Sequence, residues 1–168
     1  KILTKLRPTE PMLVNALNIA RKSSAENVLN HFDNTQEFIN HYIQKIINQN
    51  SVIFTHCHSS TLVQALISAH KNHKKFSVIN TETRPLYQGY LTSKQLSKAG
   101  IKVTMSIDSA ILQDIKESDI IMLGADAVTK KGVLNKIGSG LIAKIALDLK
   151  KPLYIIIDSW KFSAKKVI

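Results

Sequence analysis

Hydrophobic positions along this chain follow two different rhythms, and the change falls near Asn50. Over residues 11–22 apolar side chains recur at helical spacing, with Leu13, Ala16, Leu17 and Ala20 on one face. A second helical face runs over 25–47 through Leu29, Phe32, Phe38, Ile39, Tyr42, Ile43 and Ile46. The Asp33-Asn34-Thr35 stretch is expected to break it into two helices, with Asn34 or Thr35 capping the second. Beyond Asn50, short β-prone runs appear at 52–55, 76–80, 103–107, 120–124 and 153–158. Helical stretches separate them, near 62–71, 92–98, 109–116 and 140–149. Strands alternating with helices predict a parallel sheet joined by right-handed crossovers. The unbroken apolar run Ile120-Ile121-Met122-Leu123 fits a strand buried on both faces. The expected fold is therefore α/β, a Rossmann-like doubly wound parallel sheet over 49–168 preceded by a small helical N-terminal part over 1–48.

Composition narrows the class. With 168 residues, 44% hydrophobic and 21% charged, the chain can bury one real core and is not expected to be disordered. No apolar run approaches the roughly 20 residues of a membrane span, and no signal peptide is evident, so no membrane partner is expected. A single cysteine excludes an internal disulfide framework and suits a reducing cytoplasm. The net charge of +11 invites a nucleic-acid partner, but the lysines are scattered, clustering only around Lys71, Lys74 and Lys75 and at Lys165-Lys166. No RNA-binding signature or zinc spacing accompanies them, so an anionic small molecule or a simply basic surface is preferred. The chain begins at Lys1 and stops soon after Trp160-Lys161-Phe162, as expected of a piece of a longer protein or a pared-down unit.

Each β-prone run leads into polar residues. The first gives His56, Cys57, His58, Ser59 and Ser60; the second gives Thr81-Glu82-Thr83-Arg84-Pro85. Asp108-Ser109, Gly124-Ala125-Asp126 and Asp158-Ser159-Trp160-Lys161 follow the other three. In a parallel sheet these all gather at the carboxyl edge, where ligands bind. Taken singly, each has a plainer explanation. Cys57 fits a small buried hydrophobe, His56 and His58 fit structural imidazoles, and Asp126 fits a turn cap. Arg84 fits a surface ion pair, and Asn135-Lys136 fits a lead-in to a helix capped by Ser139. Their joint placement favours a site. Arg84, Lys136, Lys161 and the serine-rich turn at Ser59-Ser60-Thr61 supply cations, hydroxyls and a helix N-terminus suited to phosphate. Cys57 and Asp126 are then the groups able to move protons between carbon and oxygen. No Walker or GxGxxG pattern is present, so nucleotide hydrolysis and NAD chemistry are disfavoured.

The ordered motifs Glu82-Thr83-Arg84-Pro85-Leu86-Tyr87-Gln88-Gly89, Ile107-Asp108-Ser109-Ala110, Gly124-Ala125-Asp126-Ala127-Val128 and Asn135-Lys136-Ile137-Gly138 carry a resemblance. They resemble the superfamily of translation initiation factor 2B regulatory subunits and sugar-phosphate isomerases, over nearly the whole chain. Arg7-Pro8-Thr9 fits its N-terminal part. The superfamily holds ribose 1,5-bisphosphate isomerase of archaeal AMP degradation, methylthioribose 1-phosphate isomerase, and non-catalytic regulatory subunits. Both isomerases use a cysteine in a Thr-His-Cys motif and an aspartate in a Gly-Ala-Asp motif, matched here by Cys57 and Asp126. The wording of the motifs is closest to the ribose bisphosphate enzyme. The resemblance thus implies Cys57 as acid-base at the sugar carbon and Asp126 as the group serving ring opening and proton transfer at oxygen. It implies Arg7, Ser59, Ser60, Thr61, Asn135, Lys136 and Lys161 as holders of phosphates and hydroxyls, with Arg84 in support. It implies a phosphorylated sugar substrate, a homo-oligomer (a dimer or ring of dimers), no metal and no cofactor. It also leads one to expect an Arg-Gly-Ala phosphate loop ahead of Arg7 and a longer part beyond Phe162. The alternatives are a non-catalytic regulatory-subunit-like binding protein and the methylthioribose phosphate enzyme.

Overall fold

Ser24 fixes where the long N-terminal helix begins. Helix α1 (Pro11–Lys22) opens on proline, which is preorganised for a first helical turn. Helix α2 (Ala25–Ile46) follows after the Ser24 side chain accepts the Asn27 N–H at 3.2 Å. The expected break at Asp33-Asn34-Thr35 does not occur, and neither Asn34 nor Thr35 caps a helix. These polar side chains sit on or beside the exposed face, while Phe32, Ile39, Ile43 and Ile46 keep one apolar stripe in phase through the stretch. Gln36 Nε2 adds local support, donating to Asn40 Oδ1 at 2.8 Å and to the Thr61 carbonyl at 3.1 Å. The computed structural model describes residues 10–163, so Arg7 lies outside the described residues.

The α/β part runs β1 (Ser51–Thr55), α3 (Ser60–Lys71), β2 (Phe76–Thr81), α4 (Gln88–Lys98), β3 (Lys102–Ser106) and, after a 3-10 turn at Asp108–Ala110, α5 (Ile111–Glu117). It continues with β4 (Ile120–Leu123), β5 (Ala127–Thr129), β6 (Gly132–Leu134), α6 (Ser139–Asp148), β7 (Leu153–Ile155), a second 3-10 turn at Ser159–Lys161, and β8 (Phe162–Ser163). Strands β3-β2-β1-β4-β7 form one sheet, all parallel. Ser51 lies opposite Phe76 and Ile53 opposite Ile120. The winding direction therefore reverses between β1 and β4, the switch point at which such sheets open a crevice.

Both faces are covered, as a doubly wound sheet requires. One core joins Ile43 and Ile47 from α2 and its end with Ile53, Leu62, Leu66, Val78, Leu96 and Met122. The other joins Phe54, Ile79 and Ile121 with Ile111 and Ile115 of α5 and Ile142 and Ala146 of α6. Each fully buried leucine or isoleucine contributes about 1.5–3 kcal/mol. Because Ile43 and Ile47 belong to the first core, the second half of α2 is packed as part of the α/β body.

Two details depart from the sequence pattern. Strand β7 stops at Ile155 rather than running to Asp158: β4 ends at Leu123, whose carbonyl takes the Ile156 N–H, and Asp158 instead caps the following 3-10 turn. A small second sheet, β6-β5-β8, is also present. Its strands of two or three residues are too short to carry a periodic signal.

Candidate active site

At the switch point, the end of β1 turns sharply. Cys57 adopts φ +71°, an uncommon left-handed conformation for a residue with a Cβ. The next turn hands over to α3, whose N-cap Ser59 accepts the Leu62 N–H at 3.3 Å. Gly124, just past β4, allows this approach: a Cβ there would stand 2.7 Å from Ser59 Cβ. Ser60 and Thr61 form the first turn of α3 and present its unpaired N–H groups, an anion-favouring end.

The small sheet gathers the rest. Asp126 donates its N–H to the Leu134 carbonyl at 2.9 Å, closing the β5–β6 hairpin. Strand β8 pairs parallel with β5, Val128 opposite Phe162, and so brings Lys161 alongside. Lys161 Nζ donates to the Ala125 carbonyl. After the hairpin, Asn135 Nδ2 donates to Ser139 Oγ at 2.9 Å at the head of α6. Ser139 is the first helical residue rather than the cap, which is Gly138 at φ +101°.

These segments enclose a cavity of about 520 Å³. Cys57, Asp126, Ser59, Ser60, Thr61, Asn135, Lys136 and Lys161 all line it. Arg84 is not among the lining residues; its guanidinium lies over the Tyr87 ring, 4.9 Å from the centroid. Leu86 on the loop into α4, Gln88 in the first turn of α4 and Met12 on α1 also face the cavity; the first two fall in the motif over 82–89 without being assigned a site role, and no pattern singled out Met12. Gly89 in the same motif has a packing reason: a Cβ there would overlap the Thr81 carbonyl oxygen, so α4 packs directly onto the end of β2. Among the described residues, no group of three or more His, Cys, Asp or Glu side chains is arranged to hold a metal ion.

Burial governs the electrostatics. His56, only 4% exposed, is fixed at both nitrogens: Nε2 donates to the Ile137 carbonyl at 3.0 Å and Nδ1 meets Thr81 Oγ1 at 2.6 Å. Burial pushes its pKa below the ordinary value and outweighs the favourable carbonyl bond and the nearby Asp108. His56 is thus a neutral strut between β1 and the Lys136 loop. Burial raises the Cys57 thiol; Asp126 pushes the same way, while the His58 N–H and Lys136 oppose it. His58 is lowered, again by burial. Burial alone would raise Asp108. Hydrogen bonds from the Arg84 and Thr83 N–H groups, with the Thr81 side chain and His56 nearby, overcome this and hold it below the usual carboxylate range.

Cys57, Asp126, a helix N-terminus and two lysines thus converge at one switch point, in the motif order expected of the superfamily. The profile of the initiation factor 2 subunit family matches residues 1–167. The chain belongs to that family. Within it, the chain is 38% identical to a ribose 1,5-bisphosphate isomerase of Archaeoglobus fulgidus over 97% of its own length and 57% of the relative's. It is 35% identical to the translation initiation factor eIF2B subunit alpha of Dictyostelium discoideum, over 74% of this chain and 39% of that one. A crystal structure of the Pyrococcus horikoshii OT3 translation initiation factor eIF-2B superposes with TM-score 0.90 at 28% identity, covering 97% of this chain and 63% of that one. The chain therefore spans somewhat over half the length of the isomerase relatives it matches.

Proposed function

We propose that this chain carries the isomerase centre of a sugar-phosphate isomerase converting ribose 1,5-bisphosphate to ribulose 1,5-bisphosphate. The observation that carries the reading is the meeting of Cys57 and Asp126 in one cavity beside the α3 N-terminus, Lys136 and Lys161. A sugar phosphorylated on its anomeric oxygen has no free hemiacetal, so its ring opens only if a proton leaves C2 as the C1–ring oxygen bond breaks. Ionised Cys57 takes the C2 proton, and the protonated Asp126 carboxyl gives its proton to the departing ring oxygen. The product is a C1=C2 enol with the phosphate kept on the C1 oxygen. Asp126 then takes the C2 hydroxyl proton as the C2 carbonyl forms, and Cys57 returns its proton to C1. Both groups end as they began, so no external donor is needed.

The pair holds one proton between its members throughout; burial, and after it the Asp126 carboxylate, opposes ionisation of the thiol, so the proton passes from Cys57 to Asp126 before the C2 proton is taken. The α3 N-terminus, Lys136 and Lys161 supply anion binding for one phosphate end, with Asn135, Ser59, Ser60 and Thr61 as hydrogen-bonding groups. Arg7 and Arg84 enter this reading only through the family resemblance.

Purified protein incubated with ribose 1,5-bisphosphate should form the ketose, followed by NMR. Cys57→Ser and Asp126→Asn should each lower turnover by about 10²–10⁴-fold, the usual size of one general acid-base contribution. Unchanged turnover in Cys57→Ser would sink the reading. The identity to an eIF2B alpha subunit supports a second reading, a regulatory binding module. It requires co-purification with initiation factor 2 that survives the Cys57→Ala/Asp126→Ala change.

A further inference from the structure

The backbone of Cys57, the candidate acid-base residue, is held from both sides by threonine hydroxyls. The Cys57 N–H donates to Thr83 Oγ1 at 2.9 Å, and the Cys57 carbonyl accepts from Thr92 Oγ1 at 2.9 Å. Neither hydroxyl is free to swing away. Thr83 Oγ1 donates its own proton to the Thr81 carbonyl at 3.2 Å. Because the Thr92 proton goes to a carbonyl, its oxygen must accept from His58 Nδ1, 3.0 Å away. Both threonines are buried, Thr83 fully and Thr92 to 2% exposure.

Their supports are equally defined. Thr83 itself sits at φ +61°, facing a second left-handed residue in Cys57 at +71°. Two side-chain-bearing residues in this region are costly, about 1–3 kcal/mol each, unless the surroundings overdetermine them. Here Asp108 does so: its Oδ1 accepts the Thr83 N–H at 2.9 Å and its Oδ2 the Arg84 N–H at 2.7 Å. On the other side, Asn80 Nδ2 bonds the Gly89 carbonyl at 2.8 Å and Ser93 Oγ at 3.0 Å, pinning α4 where Thr92 reaches Cys57. Backbone strain gathered at Cys57 and Thr83 beside a cavity points to a geometry held for use.

We propose that Thr83 and Thr92 are positioning residues that clamp the Cys57 peptide in its left-handed conformation and so aim the thiol into the cavity. The consequence for turnover rests on the isomerase reading above; the consequence for the thiol does not. Cys57 is the only cysteine, so alkylation by iodoacetamide reports it alone.

Thr83→Val and Thr92→Val keep the side-chain shape and remove the hydroxyl. Each should lower kcat about 10- to 100-fold with KM within about threefold, because a misplacement of about 1 Å costs a factor on the order of 10². Thr83→Ser and Thr92→Ser should restore turnover to within about threefold of the parent, since the hydroxyl is kept. In the valine variants the released thiol should also alkylate faster, with its pH midpoint moved down toward the ordinary value of about 8.5. The serine variants should alkylate like the parent. Thr92→Val acts on the opposite side of the peptide, so it decides the matter if Thr83→Val does not fold. Valine variants that lose only thermal stability, with the alkylation midpoint unmoved, would overturn the clamp. If the parent shows no isomerase activity but the midpoint still moves only in the valine variants, the clamp stands and the isomerase reading falls.

Discussion

His56 and Cys57 are neighbours with opposite tasks. The imidazole spends both nitrogens on protein partners, whereas the thiol faces the cavity. The burial that keeps His56 neutral makes stability depend on pH, with a definite sign. Its native pKa lies below the unfolded value of about 6.5, so in mild acid the unfolded chain binds a proton that the native state refuses. This contribution is therefore fully present above about pH 6.5 and declines as pH falls toward the native pKa. His58 acts in the same direction, while Asp108 adds a similar loss only below about pH 4. The melting temperature should fall between about pH 7.5 and pH 5. His56→Gln keeps an amide able to reach the Ile137 carbonyl. It should start lower at pH 7.5 and lose less over the same interval. Parallel Tm-against-pH curves for the two proteins would contradict this origin.

Elements meet at the switch point through a contact that leaves no room for a methyl group. Gly124 closes β4 where α3 begins, and the Cβ of an alanine there would lie 2.8 Å from Ser59 Oγ. Gly124→Ala should cost about 1–3 kcal/mol, the usual range for overpacking, and weaken the Ser59 cap. Urea denaturation measures the first effect, and faster amide exchange at Leu62 reports the second; unaltered values for both would refute the contact. The same elements show what periodicity can transmit. Ile120-Ile121-Met122-Leu123 announces a central strand because each residue is buried, and the sheet edge follows from the strand ends. Asp33-Asn34-Thr35 looks like a break because its residues favour caps, yet the apolar stripe on either side stays in register and overrides them. Strands β5, β6 and β8 leave no pattern at two or three residues each. They nevertheless gather Asp126, Asn135, Lys136 and Lys161. The motif order locates the site; the contacts that aim it, such as the Cys57 N–H to Thr83, join positions 26 residues apart and are visible only once the chain is folded.

Across the molecule, an aromatic joint ties the N-terminal helices to the turn that carries Lys161. His31 on α2 stacks on Trp160 with centroids 3.7 Å apart, and Phe32 meets the same indole edge-on at 5.3 Å. His31 Nε2 also contacts Asp158 Oδ1 at 3.0 Å, and that carboxylate caps the last 3-10 turn through the Trp160 N–H at 2.7 Å. Helix α1 adds Asn15 Nδ2, which donates to the Trp160 carbonyl at 2.7 Å. The next residue is Lys161, whose ammonium holds the Ala125 carbonyl beside Asp126. Helices, terminal turn and β4 end are thus one connected chain of contacts. Trp160→Ala removes the centre of that chain without touching either hydrophobic core. It should destabilise the protein by about 1–3 kcal/mol, less than a fully buried tryptophan, because the indole is only partly enclosed. The loss should also be uneven, since packed elements open locally with their own free energies. Amide exchange in α1 and in the first half of α2 should accelerate about tenfold or more, while β1, β2 and β4 keep their protection. Turnover should fall as well, because Lys161 loses the turn that carries it. Exchange that rises equally in the central strands would show that Trp160 serves the fold as a whole rather than this joint.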